Sequence, residues 1–357
     1  MRKNTSSVFF LTMSMLLLLI LVASYLHITN GVFNMSVMDV IKTLLRIESN
    51  PKFDLVIFEF RLPRIVIAGL VGIGLGMAGV VLQGITRNGL ADPGILGINA
   101  GAGAAVVIFM FFFQLKLVSA DMNSWLSILM MPLFGFIGGT IAAILIFTFA
   151  LKNGHLDMQR LILTGIAINS GFGALSLFLS LKMSAQDFES AAIWMAGSIY
   201  NANWIFALTM LPWLLILGIY VHRKSYLLDY FQLEEDSITS LGIAVEKEKM
   251  KLLLASVGLV SACVSVSGSI GFIGLMAPHI AKQLVGIQHR YVMPVSALIG
   301  AGLLILADFI GKTVFAPSEL AVGIVVSIIG IPYFLYLLVK SKAYEETVCK
   351  LHLEWKI

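Results

Sequence analysis

The chain has 357 residues, of which 59% are hydrophobic and only 12% are charged, whereas about 25% of the residues in an ordinary soluble domain are charged. Its apolar residues come in runs of about 20, the length that crosses the hydrocarbon core of a bilayer as a helix. The net charge of +4 is too small to suggest nucleic-acid binding, and the basic residues cluster at the ends of the apolar runs. The composition therefore predicts one membrane domain over residues 1–357 and argues against two soluble domains.

Ten apolar segments are predicted to be transmembrane helices, which makes the fold all-α. They are residues 8–26, 65–86, 95–113, 125–151, 161–181, 204–221, 252–268, 270–286, 292–311 and 320–339. The first segment could instead be a signal peptide, but its length and the absence of an A-x-A cleavage site favour a retained helix. With both termini in the cytoplasm, sixteen Lys and Arg residues lie inside and eight outside, as the positive-inside rule requires.

The division of the long apolar run 252–286 decides the topology of everything that follows it. We divide it at Ser267–Gly271, because S-G-S-x-G is a turn signal and Pro278 disfavours one straight helix. Without this division, Lys282, Arg290 and the basic residues after the last span would lie outside. The distribution of charge therefore favours two helices.

Two glycine-containing patterns resemble nucleotide-binding motifs, but their surroundings in the sequence argue against nucleotide sites. Gly74–Gly79 fits G-x-G-x-x-G but lies inside an apolar span, where Gly72 and Gly76 instead predict close packing of a neighbouring helix. Gly311–Thr313 resembles the end of a phosphate-binding loop, but the position at which this motif requires its first glycine is occupied by Leu306. An ATP-driven machine would therefore carry its ATPase on another chain.

The sequence offers no catalytic constellation, no metal site and no cofactor site. The six histidines are scattered without metal-ligand spacing, and Cys263 and Cys349 have no redox or metal spacing. An ion-coupled carrier would need an ionisable group within the membrane, for which Asp308 is the main candidate. Lys312 follows one helical turn later, so an ion pair between these two residues is a sufficient structural explanation.

Two further segments have more than one interpretation. Span 161–181 is rich in small and mildly polar residues, including Thr164, Asn169 and Ser170, and such a helix can either pack tightly or line a wide path. The hydrophilic segment of about 222–251 is either a solvated connector or carries a short helix stopped at Gly242, followed by another helix leading into the next span.

The motifs as a whole resemble the iron-siderophore and cobalamin permease family of ABC importers. The resemblance covers nearly the whole chain after residue 60. It is carried by Arg61–Arg64 (R-L-P-R), Leu82–Gly84, Arg87–Gly97 (R-N-G-L-A-D-P-G-I-L-G), Ser240–Gly242, Gly268–Ala281, His289–Arg290, Ala307–Asp308 and Glu319–Gly323. Family members have ten transmembrane helices, pair two permeases around a central path, and bind two cytoplasmic ATPases and an external binding protein.

The resemblance implies roles for individual residues at the outer face and at the gate. Arg61 and Arg64 match outer arginines that receive acidic residues of the binding protein, and a third such arginine falls at Lys312, which keeps the charge but loses the bidentate fork. Asn88 and Leu90 match the residues that narrow the cytoplasmic end of the path. Gly89 replaces the usual proline and could loosen the backbone there.

The resemblance also favours one interpretation of each ambiguous segment. It makes span 161–181, with Thr164, Asn169 and Ser170, a helix that lines the path. It makes segment 234–250 a pair of short helices seated on the ATPase. The residues implied in this coupling are Glu234, Glu235, Ser240, Leu241 and Gly242.

We therefore expect a permease, not an enzyme, that passes an iron-siderophore complex across the bacterial cytoplasmic membrane. The partners expected are a second permease, identical or related, two ATPases and a binding protein. The same machine could instead carry cobalamin, haem or an oxyanion, because small and apolar side chains do not identify the cargo. An ion-coupled secondary transporter is the alternative from another class.

Overall fold

The computed structural model describes residues 5–31, 35–47, 50–114, 125–152, 155–316 and 318–354. Its helices are α1 Thr5–Thr29, α2 Val37–Leu44, α3 Pro51–Asp54, α4 Leu62–Thr86, α5 Ile98–Phe109, α6 Trp125–Ala150, α7 Met158–Ser180, α8 Ala185–Met195, α9 Trp204–Arg223, α10 Ser225–Tyr230, α11 Glu235–Ser240, α12 Val245–Ser267, α13 Ile273–Val285, α14 His289–Thr313 and α15 Val322–Glu354. Shorter helical stretches are the π-helical Leu55–Arg61 and Met110–Gln114 and the 3₁₀ turn Pro93–Leu96. Two-residue strands, β1 Leu151–Lys152 and β2 His155–Leu156, pair antiparallel.

The predicted all-α fold with many membrane-spanning helices is confirmed. Within the described residues, eight helices are long and apolar enough to cross a membrane. The other two predicted spans, 95–113 and 270–286, are helical but shorter. The helix α13 has only 13 residues, fewer than the roughly 20 that a bilayer requires.

The predicted division of the run 252–286 is also confirmed. Helix α12 ends at Ser267, Gly268 follows with φ 67°, and α13 begins at Ile273. A positive φ is readily adopted by glycine, which lacks Cβ. The turn also shortens α13, because it takes residues 268–272 out of the helix.

Glycines bring the central helices α4 and α14 into close contact. A Cβ added at Gly72 would lie 2.3 Å from the carbonyl oxygen of Gly300, and one added at Gly76 would lie 2.6 Å from that of Ser296. The Ser296 hydroxyl donates to the Gly76 carbonyl at 3.0 Å. These contacts confirm the predicted role of Gly72 and Gly76 in helix packing.

Helix α7 lies at the edge of the fold. Most of its side chains are exposed, including the large apolar Leu163, Leu177 and Phe178. Its start packs against the turn before α5, where a Cβ at Gly97 would lie 3.0 Å from the Gly165 carbonyl oxygen. One face of α7 is thus anchored and the other is open to lipid or to another protein.

Candidate transport path, gate and docking sites

A buried group of charges lies where α4, α14 and the start of α15 approach each other. Arg64 donates Nε and Nη2 to the two carboxylate oxygens of Asp308, at 2.7 and 2.8 Å, and Nη1 to Glu319 at 2.6 Å. His27 Nε2 lies 2.7 Å from Asp308 Oδ2. Arg64 is therefore balanced by two carboxylates of its own chain, in the bidentate geometry that arginine favours.

The other two basic residues of the expected docking set lie beside this group. Arg61 Nη1 donates to the carbonyl of Ile28, and Lys312 Nζ donates to the carbonyl of His27 at 3.1 Å. A Cβ at Gly31 would lie 2.9 Å from Lys312 Cε and 3.1 Å from Arg61 Nη2. Both side chains are buried within this chain.

The predicted ion pair between Asp308 and Lys312 is not formed, so that interpretation is wrong. The Asp308 carboxylate is held by Arg64 and His27, and the Lys312 ammonium lies against the backbone of α1. The helical spacing allowed a pair one turn apart. An arginine on the neighbouring helix α4 binds the carboxylate with two hydrogen bonds instead.

The candidate gate is a tight turn directly after α4. Arg87 ends this helix in the left-handed conformation, with φ 51° and ψ 28°. Asn88 Oδ1 accepts from Leu90 N at 2.9 Å, and the Asn88 carbonyl accepts from Ala91 N at 3.2 Å. Side-chain closure of a turn by asparagine is a common local motif, and here it fixes Leu90 relative to Asn88.

The rest of this turn is tied to the helices around it. Asp92 caps the 3₁₀ turn by accepting from Gly94 N at 2.6 Å. Burial raises the pKa of the Asp92 carboxyl, while hydrogen bonds from the backbone N–H groups of Gly94 and Phe272 oppose the rise. Pro93 packs on α13, since a Cβ at Gly274 would lie 2.6 Å from Pro93 Cδ. The candidate gate therefore rests on α13 as well as on α4.

A cavity of about 680 Å³ opens beside the gate turn. It lies between that turn, α5, α7, the end of α8, the turn before α13, and α15. Its lining includes Leu90 and Asp92 from the gate turn and Asn169 and Ser176 from α7. The walls are mostly apolar with a few separated polar groups, as in pockets that hold bulky solutes.

The expected path-lining and gate residues are only partly brought together. Leu90 and Asn169 line the cavity, whereas Asn88, Thr164 and Ser170 are not among its described lining residues. Ser170 is exposed and donates to the Ile166 carbonyl at 3.0 Å. Asn169 and Ser170 therefore differ in what they can contact within this chain, although they are adjacent on α7.

The segment of about 222–251 contains the predicted short helix that stops before Gly242, followed by a helix leading into the next span. The expected pair of short helices in 234–250 is wrong, because the second helix is the start of the 23-residue α12. Helix α11 is capped by the Glu234 backbone and runs from Glu235 to Ser240, Gly242 follows with φ 78°, and α12 begins at Val245. Ile238 is fully buried, while Leu241 is 63% exposed. Helix α11 is thus anchored by Ile238, while Leu241 at its end is accessible from outside this chain.

Three cavity residues were not singled out from the sequence. Asn99 is buried, and its Oδ1 has no hydrogen-bond partner among the described residues. Phe272 adopts φ 65° directly before α13, and Trp194 ends α8 against the same space. An asparagine within an apolar run was an available signal for Asn99, whereas strain at Phe272 has no local sequence signature.

No group of three or more His, Cys, Asp or Glu residues that could hold a metal ion is found in the described part of the chain. The eight long apolar helices of the described residues define a polytopic membrane protein. Comparison with known proteins identifies its family: residues 16–340 match the FecCD transport family, and the chain belongs to it.

Individual relatives agree over nearly the full length. The chain is 54% identical over 327 residues to the iron-uptake system permease protein FeuC of Bacillus subtilis, covering 92% of this chain and 96% of the relative. It is 44% identical to the iron(3+)-hydroxamate import system permease protein FhuG of Bacillus subtilis, covering 93% and 97%. It is 35% identical to the hemin transport system permease protein HmuU of Yersinia pestis, covering 93% and 96%.

A solved structure agrees with the fold. A chain from an inward-facing conformation of a metal-chelate type ABC transporter superposes with a TM-score of 0.78 at 29% identity, covering 92% of this chain and 98% of the other. The resemblance to ABC permeases is therefore confirmed, and the chain is a multi-pass membrane permease of an ABC importer family.

Proposed function

We propose that this chain is the permease subunit of an ABC importer that carries an iron-siderophore complex into the cytoplasm. The observation that carries the proposal is the 54% identity, over 92% of the chain, to a permease of an iron-uptake system. A second relative at 44% identity belongs to an iron(3+)-hydroxamate system. Haem is the runner-up cargo, since a hemin permease is 35% identical; cobalamin and an oxyanion remain further outcomes of the test below.

The chain contributes a path and a gate in this mechanism. Leu90 and Asn88 close the cytoplasmic end of the path, and Asn169, with Thr164 and Ser170, lines it on α7. The cavity beside Leu90 supports this assignment, since its walls are mostly apolar and can release a bulky solute. Thr164 and Ser170 would line the path only where α7 faces a second permease.

The second permease, identical or related, packs against the exposed apolar side of α7. Exposed apolar area such as that of Leu163 and Phe178 must be covered by lipid or protein. The path then lies between two subunits, and α7 of each contributes one wall.

Two ATPase subunits in the cytoplasm bind the segment of about 222–251. The contact is α11 with its two ends, which include Glu234, Glu235, Ser240, Leu241 and Gly242. Closure of the ATPases on ATP and their reopening after hydrolysis move this helix, and the path opens alternately to the two sides. ATP hydrolysis belongs to those subunits and not to this chain.

An extracytoplasmic binding protein docks at Arg61, Arg64 and Lys312. This requires the outer end of α4 to lie outside and both termini to lie in the bacterial cytoplasm, as the distribution of basic residues predicts. Arg64 contacts Glu319, which is partly exposed, so an acidic residue of the binding protein would compete with Glu319 for the same guanidinium.

An ion-coupled carrier is disfavoured by the surroundings of its one candidate residue. Asp308 is already bound by Arg64 and His27, so both of its carboxylate oxygens are occupied by partners from its own chain. An ATP-driven importer needs no such coupling group.

Transport in proteoliposomes tests the proposal. The full complex, with ATPases and binding protein, should take up radioactive iron as its siderophore complex only with ATP, and vanadate should stop uptake. Haem, cobalamin and molybdate serve as competing cargoes. Uptake that survives vanadate but fails with a protonophore would establish a carrier instead.

A further inference from the structure

The Arg87 side chain joins the candidate gate to the chain that precedes α11. Its Nε donates to the carbonyl of Phe231 at 2.5 Å, and its Nη2 donates to the carbonyl of Leu233 at 2.5 Å. One guanidinium therefore binds two main-chain oxygens of the segment of about 222–251, here called the coupling segment. Arg87 directly precedes Asn88, the first residue of the candidate gate.

A second side chain makes a parallel connection. Gln232 Nε2 donates to the carbonyl of Gly84 at 3.1 Å. The last carbonyls of a helix have no partner within it, so Gln232 satisfies one that α4 leaves open. The contact is close, because a Cβ at Gly84 would lie 3.1 Å from Leu228 Cδ2.

The residues that Arg87 binds belong to a segment that packs closely against the rest of the fold. Phe231 and Leu228 are fully buried. Asp229 accepts from the backbone N and from Nδ1 of His289, at 3.0 and 2.7 Å, where α14 begins. Residues 228–233 therefore connect the cytoplasmic ends of α4 and α14 directly to the start of α11.

The backbone of Arg87 adds a constraint of its own. Its φ of 51° is left-handed, a conformation that a residue with a Cβ adopts only when its surroundings require it. The two hydrogen bonds of the guanidinium supply such a requirement. If the bonded carbonyls shift, the guanidinium is drawn with them, and its side chain connects that shift to the backbone turn directly before Asn88.

We propose that Arg87 is a positioning residue that transmits movement of the coupling segment, which includes α11, to Asn88 and Leu90. This inference rests on the proposed function, because it requires the ATPases to move that segment. The planar fork of arginine, which can hold two acceptors at fixed angles, is needed. Lysine, with one ammonium, would hold one carbonyl at a time and transmit less.

The test uses the full complex of permease, ATPases and binding protein in proteoliposomes. Arg87→Gln and Arg87→Lys are compared with Arg290→Gln, which removes the same charge from an exposed position at the start of α14. ATP hydrolysis and uptake are measured together. Thiol labelling of Leu90→Cys is measured with and without trapped nucleotide.

We expect Arg87→Gln to keep ATP hydrolysis within about twofold of wild type, lower uptake about tenfold, and abolish the nucleotide-dependent change in labelling. The uptake and the labelling change of Arg87→Lys should lie between those of wild type and Arg87→Gln. Arg290→Gln should match wild type in all three measurements. A general structural defect would lower both activities and would not alter their ratio. Coupled transport and an intact labelling change in Arg87→Gln, or wild-type coupling in Arg87→Lys, would overturn the assignment. Absence of ATP-dependent uptake in the wild-type complex would instead reject the proposed function.

Discussion

Arg61 and Arg64, the two arginines of the expected docking set, differ in the partners that this chain gives them. Arg64 makes three hydrogen bonds to two carboxylates of its own chain. Arg61 donates to a backbone carbonyl. A substitution at Arg64 therefore removes three hydrogen bonds to carboxylates, whereas one at Arg61 leaves those three bonds in place.

We expect Asp308→Asn to lower stability by about 3–5 kcal/mol, because removing one partner of a buried ion pair leaves the other uncompensated. The matched variant Glu319→Gln should cost about 1 kcal/mol or less, since Glu319 is 26% exposed. Thermal unfolding of the purified permease in detergent measures both. Equal unfolding temperatures for Asp308→Asn and wild type would show that the pair does not stabilise the fold.

We expect Arg61→Glu to weaken binding-protein affinity by about tenfold or more, because like charges at an interface oppose docking. Affinity is measured for the complex in nanodiscs. Lys182→Glu, which makes the same change at an exposed position predicted to be outside, should leave affinity near wild type. Unchanged affinity for Arg61→Glu would remove this residue from the docking role.

The sequence could not predict the partners of Arg64. Asp308 and Glu319 lie 244 and 255 residues further along the chain, and no local spacing connects them. Local spacing suggested Lys312 for Asp308, but the fold brings α4 against α14 and gives the carboxylate a bidentate partner. The juxtaposition of distant helices, and not helical periodicity, decides such pairs.

The helices illustrate which signals are local. Glycine and serine at residues 267–271 predicted the break between α12 and α13, because turn-forming residues act on their own backbone. The shortness of α13 and the π-helical stretch before α4 were not predicted. The turn signal located the break but not its length, which extends to residue 272 and so delays the start of α13 to Ile273.

The short helix α11 and its terminating glycine give a prediction at this scale. Gly242 has φ 78°, whereas proline fixes φ near −65°. We expect Gly242→Pro to distort the end of α11, which we propose to contact the ATPase, and to uncouple hydrolysis from uptake. Both activities are assayed together in proteoliposomes.

Gly242→Asn is the control, because asparagine tolerates the left-handed conformation and a Cβ at Gly242 would meet no atom within 4 Å. It should retain most of the coupling. If Gly242→Pro also transports and hydrolyses at wild-type rates, the segment is only a connector.

In the whole molecule, the candidate gate turn contacts both the cavity and the coupling segment. Leu90 lines the cavity, and Asn88 follows the residue that binds the coupling segment. Motif resemblance suggested Asn88 and Leu90 as gate residues, and that assignment stays a prediction. The resemblance could not predict that Asn88 lies outside the cavity lining while Leu90 lies within it, because that depends on how the turn packs on α13.

The last prediction concerns the movement of this gate. We expect cysteines placed at Asn88 and Leu90, in a Cys263→Ala/Cys349→Ala background, to change their accessibility to a cytoplasmic thiol reagent during the ATP cycle. Cys263 is buried, so its removal takes a thiol from the core and none from the path. If the path opens and closes, residues at its mouth must alternate between water and contact across the subunit interface.

Labelling rates are compared between ATP-trapped and nucleotide-free complexes, with Cys349 restored alone as the control in the tail. The tail cysteine should label equally in both states, because it takes no part in the path. Leu90 should show the larger change of the two gate positions, since it faces the cavity and Asn88 is exposed already. Equal rates at both positions in the two states would contradict the gate assignment while leaving the membership of the transport family untouched, because that membership rests on the whole chain and not on this turn.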